Sequence, residues 1–296
     1  DPQGQVRPMA LDVSQTLNSN QAKAVLVINP GFGRDLDSPG GATAQVLIDG
    51  ADNSVAGVIS GYLAGIQAAA SGRFTGRKME PPVVLKTRFL FNPELTSRWF
   101  TVPGLSAVVL AIISILLTAL TVAREWENGS MERLLSTPVH PFEIIIGKLA
   151  PYLVLGLAAQ GLIYVLARFY FGVPFVGSHL VFAVGACLFI ASYMATGLLI
   201  SVAARQQMLA MQFSMMVGML PTLLLSGFIY PVESMPVFFQ YFTRLLPARW
   251  FMVVIRGVFL RGAGWTQLAG PLLALAGFAV FFVTMAARRF KRDVEP

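Results

Sequence analysis

His140 and His179 are the two histidines of the chain, and they stand far apart in segments that read as turns. A metal site or a catalytic base needs clustered partners, and neither histidine has them. Gly31-Phe32-Gly33 follows a strand-like run and starts as a dinucleotide loop starts, but Leu36 occupies the place of the third glycine. In Gly72 to Lys78 (GRFTGRK), Arg77 stands where a phosphate loop needs its second glycine and Met79 where it needs Ser or Thr. No Ser/His/Asp set or carboxylate pair stands out. Cys187 is the one cysteine, so it forms no internal disulfide and reads as a small apolar side chain inside an apolar run. The residue types exclude a self-contained nucleotide, metal or hydrolase site.

The segment with the densest charge is Ala123 to Leu149, AREWENGSMERLLSTPVHPFEIIIGKL. Met131, Leu134 and Leu135 form an apolar stripe at helical spacing, and Glu125, Glu127, Glu132 and Arg133 surround it with charge. Gly129 breaks this piece from the preceding run, and Pro138 and Pro141 end it. Such an amphipathic elbow can dock into a cleft of a soluble partner and pass a push to two neighbouring helices. It can equally lie on lipid headgroups as an ordinary charged loop. The residues alone leave both readings open.

The elements around the elbow define its setting. Of 296 residues, 55% are apolar and 12% charged, against about 25% charged in an average soluble domain. The apolar residues gather into five long runs after residue 100. These predict membrane spans at 101–123, 149–171, 180–203, 208–230 and 265–286. The first is 23 residues without a charge, with Pro103 in its first turn. The stretch 231–264 holds two apolar pieces too short to cross, bracketed by Pro231, Pro236 and Pro247. They are expected to be re-entrant helices.

The net charge of +7 would suggest nucleic acid in a soluble protein. Here the cations flank the apolar runs, where topology accounts for them. Arg124, Arg133, Lys148, Arg205 and the basic tail Arg288 to Arg292 put one set of loops in the cytoplasm, with the uncharged turn 172–179 opposite. Arg244, Arg249, Arg256 and Arg261 resist this assignment, because they fall on the outer side. Re-entrant helices could hold them at headgroups or pair them in a cavity. Residues 1–100 read as a small extracytoplasmic α/β domain. Its strands are expected at Ala24 to Asn29, Gln45 to Asp49 and Val83 to Phe91. A helix is expected from Asn53 to Ala70, with Val55, Val58, Ile59, Tyr62, Leu63 and Ile66 on one face. An odd number of spans starting outside predicts one further span upstream, six in the full protein.

The elbow resembles that of ABC-2-type ABC transporter permeases, at Arg124, Glu125, Glu127, Gly129, Ser130, Glu132, Leu134, Leu135, Thr137, Pro138, Val139, Glu143, Ile144, Gly147 and Lys148. Asn128 departs from the family's usual basic or polar choice. Leu225-Ser226-Gly227-Phe228-Ile229-Tyr230-Pro231-Val232-Glu233-Ser234-Met235-Pro236, followed by Leu246-Pro247-Ala248-Arg249, is similar to the family's fifth-span exit and extracellular re-entrant cap. Asn92-Pro93-Glu94 and Val46-Leu47-Ile48-Asp49-Gly50 look like its drug-export branch. The family's first span and N-terminal elbow have no counterpart here.

The resemblance implies an ABC-2 permease fold and no cofactor on this chain, with ATP and Mg used by cytoplasmic ABC ATPase subunits. It implies a second permease, identical or similar, in the bacterial inner membrane, and leaves room for a periplasmic adaptor. Residues Arg124 to Lys148 would touch the ATPase. Gly227, Pro231, Met235, Pro236, Pro247 and Arg249 would shape the cap. The expected activity is export of amphipathic, drug-like molecules, with a lipid or polysaccharide exporter as the alternative. A membrane-embedded enzyme would need intramembrane ionisable groups, and the spans offer only Arg168, Gln160 and Gln212. A non-transporting scaffold would lack an ATPase partner.

Overall fold

The computed structural model describes residues 16–17, 22–35, 41–74, 83–131 and 141–292. It divides into two compact units, Asp1–Thr96 and Ser97–Pro296, against the boundary expected at residue 100.

The first unit is built on a three-stranded sheet. Strands β1 (Ala24–Ile28), β2 (Ala42–Asp49) and β3 (Val83–Leu90) lie in that order. Helix α1 (Phe32–Asp35) joins β1 to β2, and α2 (Asn53–Phe74) joins β2 to β3. β1 runs antiparallel to β2, with Ala24 opposite Ile48. β3 runs parallel to it, with Ala42 opposite Val83, and a parallel pair needs a crossover such as α2.

The strand-to-helix corner is set by short polar side chains. Asp49 accepts the Ala51 N–H, and Asp52 accepts the N–H groups of Ser54 and Val55, which caps α2. Gly50 must be glycine, because a Cβ there would lie 2.8 Å from the Leu90 carbonyl oxygen. The apolar stripe expected on α2 is divided. Ala56, Ile59 and Leu63 close the core over Val46 and Ile48, whereas Tyr62 is 71% and Ile66 61% exposed. Three strands are too narrow to cover the whole stripe.

The second unit is helical: α3 (Ser97–Glu127), α4 (Pro141–Val165), α5 (His179–Ala204), α6 (Gln207–Leu224), α7 (Val237–Phe242), α8 (Pro247–Arg256) and α9 (Trp265–Arg292). Five of these, with α4 prolonged by the π-helical turn Leu166–Tyr170, supply segments long and apolar enough to cross a membrane: Ser97–Glu127, Glu143–Tyr170, His179–Ala204, Gln207–Leu224 and Trp265–Arg289. The protein is therefore a polytopic helical membrane protein. Helix α5 is central and packs against α3, α4, α6, α8 and α9. At Gly197 of α5 a Cβ would lie 2.2 Å from Thr118 Oγ1 and 2.4 Å from the Ile115 carbonyl oxygen. That is the close approach small residues permit between membrane helices. Thr118 Oγ1 reaches the Met194 carbonyl across the same contact, at 3.0 Å.

Several helical boundaries differ from the expected spans. α4 starts at Pro141, eight residues before the run expected from 149. α6 stops at Leu224 rather than running to 230, because Gly227 takes a φ of +85° and leaves the helical path.

Candidate functional site

The first half of the elbow is a continuation of a span. α3 carries on to Glu127, so Arg124, Glu125 and Glu127 occupy its last turn. Gly129 then adopts a φ of +68°, where glycine is free and other residues are strained, and the chain leaves the helix. Met131 follows and is fully buried with Val122, Ile145, Leu198, Val202 and Ala286, from α3, α4, α5 and α9. This corrects the expectation that Met131 belongs to an outward-facing stripe. The left-handed turn at Gly129 sends it under the bundle, into an apolar gap where four helices converge. Glu132, Leu134, Leu135, Thr137 and Pro138 lie outside the described residues, as does His140.

Lys148 ties the elbow's second half to its first. Its ammonium pairs with the Glu125 carboxylate and lies 3.4 Å from Met131 Sδ. The side chains are 15% and 33% exposed, so the pair is partly withdrawn from water and holds α3 to α4 better than a surface pair would. Gly147 is exposed, and a Cβ there would meet nothing within 4 Å, so packing inside this chain does not require a glycine.

A third junction was not visible in the sequence. The Glu127 carboxylate accepts the backbone N–H of Gln207 at 2.7 Å and its side-chain amide at 2.5 Å. Arg124 Nε donates to the other end of that amide, Oε1, at 3.4 Å. Next to it, the Arg205 guanidinium sits 4.7 Å from the centre of the Trp126 ring. Arg205 ends α5 in a left-handed conformation, φ +53°, which makes the tight turn into α6. No local pattern announces contacts between residues 80 positions apart. One end of the bundle thus gathers the last turn of α3, the start of α4, the α5–α6 turn and the end of α9.

The opposite end is organised by arginines and aromatic rings. Gly104 of α3 is overlaid by Phe228, whose ring atoms would lie 2.3 Å from an added Cβ. Phe228 stacks on Phe100 at 6.2 Å. Arg256 of α8 lies 4.3 Å from the Phe100 ring and donates to the Gly227 carbonyl at 2.9 Å. It is 9% exposed. Arg249 donates to the Gln240 carbonyl at 2.8 Å and to Thr243 Oγ1 at 2.6 Å. Burial, reinforced by Arg244 and opposed by Glu233, holds its guanidinium pKa below the ordinary arginine value. Arg244 lies 5.0 Å from the Tyr241 ring. Arg244, Arg249 and Arg256, three of the four arginines that resisted a topology from sequence, therefore have partners at this end of the bundle.

The three cap prolines each start an element. Pro231 precedes the 3-10 turn Val232–Ser234, Pro236 precedes α7, and Pro247 opens α8. The Met235 carbonyl accepts the Gln240 amide at 2.9 Å. Helix α7 is amphipathic in reverse. Gln240, with the buried Thr243 just past the helix end, faces the protein, while Phe238 is 72% and Tyr241 62% exposed. The uncharged turn before α5 meets the cap directly, since Gly177 N–H donates to the Val258 carbonyl at 2.8 Å.

Among the described residues there is no group of three or more His, Cys, Asp and Glu that could hold a metal. His179 bonds to the Tyr164 hydroxyl at 2.9 Å, and Arg168 reaches the Val173 carbonyl at 3.5 Å. Neither stands in an acid–base arrangement.

A bundle of apolar helices with polar joints at one end and a capped other end defines the class, a multi-pass membrane permease. The chain belongs to the ABC-2 family transporter proteins, whose signature matches residues 11–288. It is 34% identical over 283 residues to "Probable multidrug ABC transporter permease YbhS" of Escherichia coli K12, covering 94% of this chain and 75% of that protein. It is 31% identical over 281 residues to "Probable multidrug ABC transporter permease YbhR" of the same organism, covering 91% and 76%. It is likewise 31% identical over 284 residues to its "Inner membrane transport permease YhhJ", covering 94% and 75%. Membership makes the chain a multi-pass inner-membrane ABC permease, a transport subunit, and implies association with an ATPase subunit and dimerisation.

Proposed function

We propose that the chain is the permease of an ATP-driven exporter that moves amphipathic, drug-like molecules out of the cytoplasm. The observation that carries this reading is the convergence of α3, α4, α5, α6 and α9 on the elbow. A displacement applied there is delivered to the whole bundle. The chemical work is done on a partner, a cytoplasmic ATPase that binds ATP and Mg and docks against the elbow. Two permeases, identical or similar, would form the path.

Orientation follows from charge. Arg124, Lys148, Arg205, Arg288 and Arg289 belong to the elbow end of the helices, and basic loops favour the cytoplasm. The elbow is then cytoplasmic, and the cap and the α/β unit extracytoplasmic. The drug-like substrate class is supported by the multidrug names of the two relatives from Escherichia coli K12.

The test is co-purification with a cytoplasmic ABC ATPase co-expressed with the permease. Glu132→Lys and Leu135→Asp are expected to leave membrane insertion intact and to abolish association. An ATPase that stays bound to both variants overturns the docking role.

A further inference from the structure

Helix α6 starts without a side-chain cap of its own. Its N-cap residue, Gln206, is extended and makes no side-chain cap bond. The first free N–H of the helix, that of Gln207, is instead taken by Glu127 from the end of α3. A carboxylate at a helix N-terminus satisfies an orphan donor and complements the helix dipole. The same carboxylate holds the Gln207 amide, and Arg124 closes the other side. The last turn of α3 therefore serves as the missing first turn of α6.

At its other end α6 is tied to α3 again. Leu224 leads into the Gly227 turn, Phe228 covers Gly104, and the Gly227 carbonyl accepts Arg256 of the cap. Between the two ends, a Cβ on Gly218 of α6 would lie 2.8 Å from Ile115 of α3. Helices α3 and α6 are thus joined at the bottom, middle and top. The joint at the elbow end is polar and solvent-exposed, while those above it are close-packed.

We propose that Glu127 and Gln207 are positioning residues that clutch α6 to the elbow, so that motion of the elbow reaches the cap through α6. This rests on the ATPase-coupled reading above. Neither residue touches ATP. They act by making the elbow and the start of α6 one rigid piece. The hydrogen bonds are exposed, so their loss changes stability little, which separates a clutch from a structural support.

The test uses the full permease–ATPase complex in liposomes, in a Cys187→Ser background. Ile229→Cys, just past the α6 exit, is labelled with a membrane-impermeant maleimide, with and without ATP and vanadate. The parent complex is expected to show an ATP-dependent change in labelling rate. Gln207→Glu sets two carboxylates against each other, and Gln207→Leu removes the amide. Both are expected to lose that change while keeping the ATPase bound and the melting midpoint unaltered. The swap Glu127→Gln/Gln207→Glu restores a donor, an acceptor and a partner for Arg124, and is expected to regain the change.

An ATP-dependent change that survives in both single variants overturns the clutch and leaves the coupling reading standing. A swap that stays silent while both single variants are silent also overturns it, since the residues would then matter for some reason other than their pairing. A parent complex that binds no ATPase, or responds to no ATP, removes the coupling reading and the clutch with it.

Discussion

The two ends of the helical unit are fastened in different ways. At the elbow end the joints are polar: Glu125 with Lys148, Glu127 with Gln207, Arg205 over Trp126. At the cap end they are packed: Phe228 over Gly104, the buried Arg256 against Phe100, and the half-buried Arg249 on the carbonyl of Gln240 and the hydroxyl of Thr243. At the elbow, apart from the partly withdrawn Glu125–Lys148 pair, the contacts are exposed and exchange with water at small net cost. Buried arginines and interlocked rings do not, because separating them strands charges or opens voids. The elbow end is suited to being moved, and the cap end to holding its shape while it is carried.

That contrast can be broken by substitutions whose effects should fall in order from cap to elbow. Arg256→Ala is expected to be the most damaging. It removes a charged donor from the Gly227 carbonyl and leaves a void beside Phe100, at a cost of about 3 kcal/mol. The measurement is a thiol-dye melt through Cys187 in detergent, where the midpoint should drop clearly. Gly104→Ala should follow at ~2 kcal/mol, since the new methyl must displace the Phe228 ring. Its partner experiment, Gly104→Ala with Phe228→Leu, should recover most of the loss, and no recovery would show that the overlap is not the cause.

Lys148→Met should cost least, ~1 kcal/mol, because the methionine stem keeps the apolar contacts and Glu125 can turn to water. A Lys148→Met loss equal to that of Arg256→Ala would erase the distinction between the two ends.

The sequence carried the spans well. Apolar runs without charge need no tertiary context to be read, and Gly129, Gly227 and the three cap prolines mark breaks by their own backbone preferences. It carried the direction of side chains less well. Met131 sits at the right spacing for an outward stripe with Leu134 and Leu135, yet the turn at Gly129 redirects it inward. Tyr62 and Ile66 match the period of Ile59 and Leu63, but the width of the sheet decides which positions are covered. In sequence Gln207 is one residue of the short polar turn Arg205-Gln206-Gln207. Its value lies in Glu127, which no pattern within a single helix could supply. Arg256 gave a signal as a charge in an apolar stretch, without naming the Gly227 carbonyl that receives it.

Helix α7 and the turn that ends it point Gln240 and Thr243 toward the protein and Phe238 and Tyr241 away from it. A peptide with that arrangement is inside-out by the rules of aqueous solution. Grafted onto a water-soluble scaffold, it would roll over to hide its rings and tear Gln240 from the Met235 carbonyl. The shape of the cap is thus written jointly by its residues and by an oily surrounding, and antibodies raised against the excised loop should fail to recognise it in place.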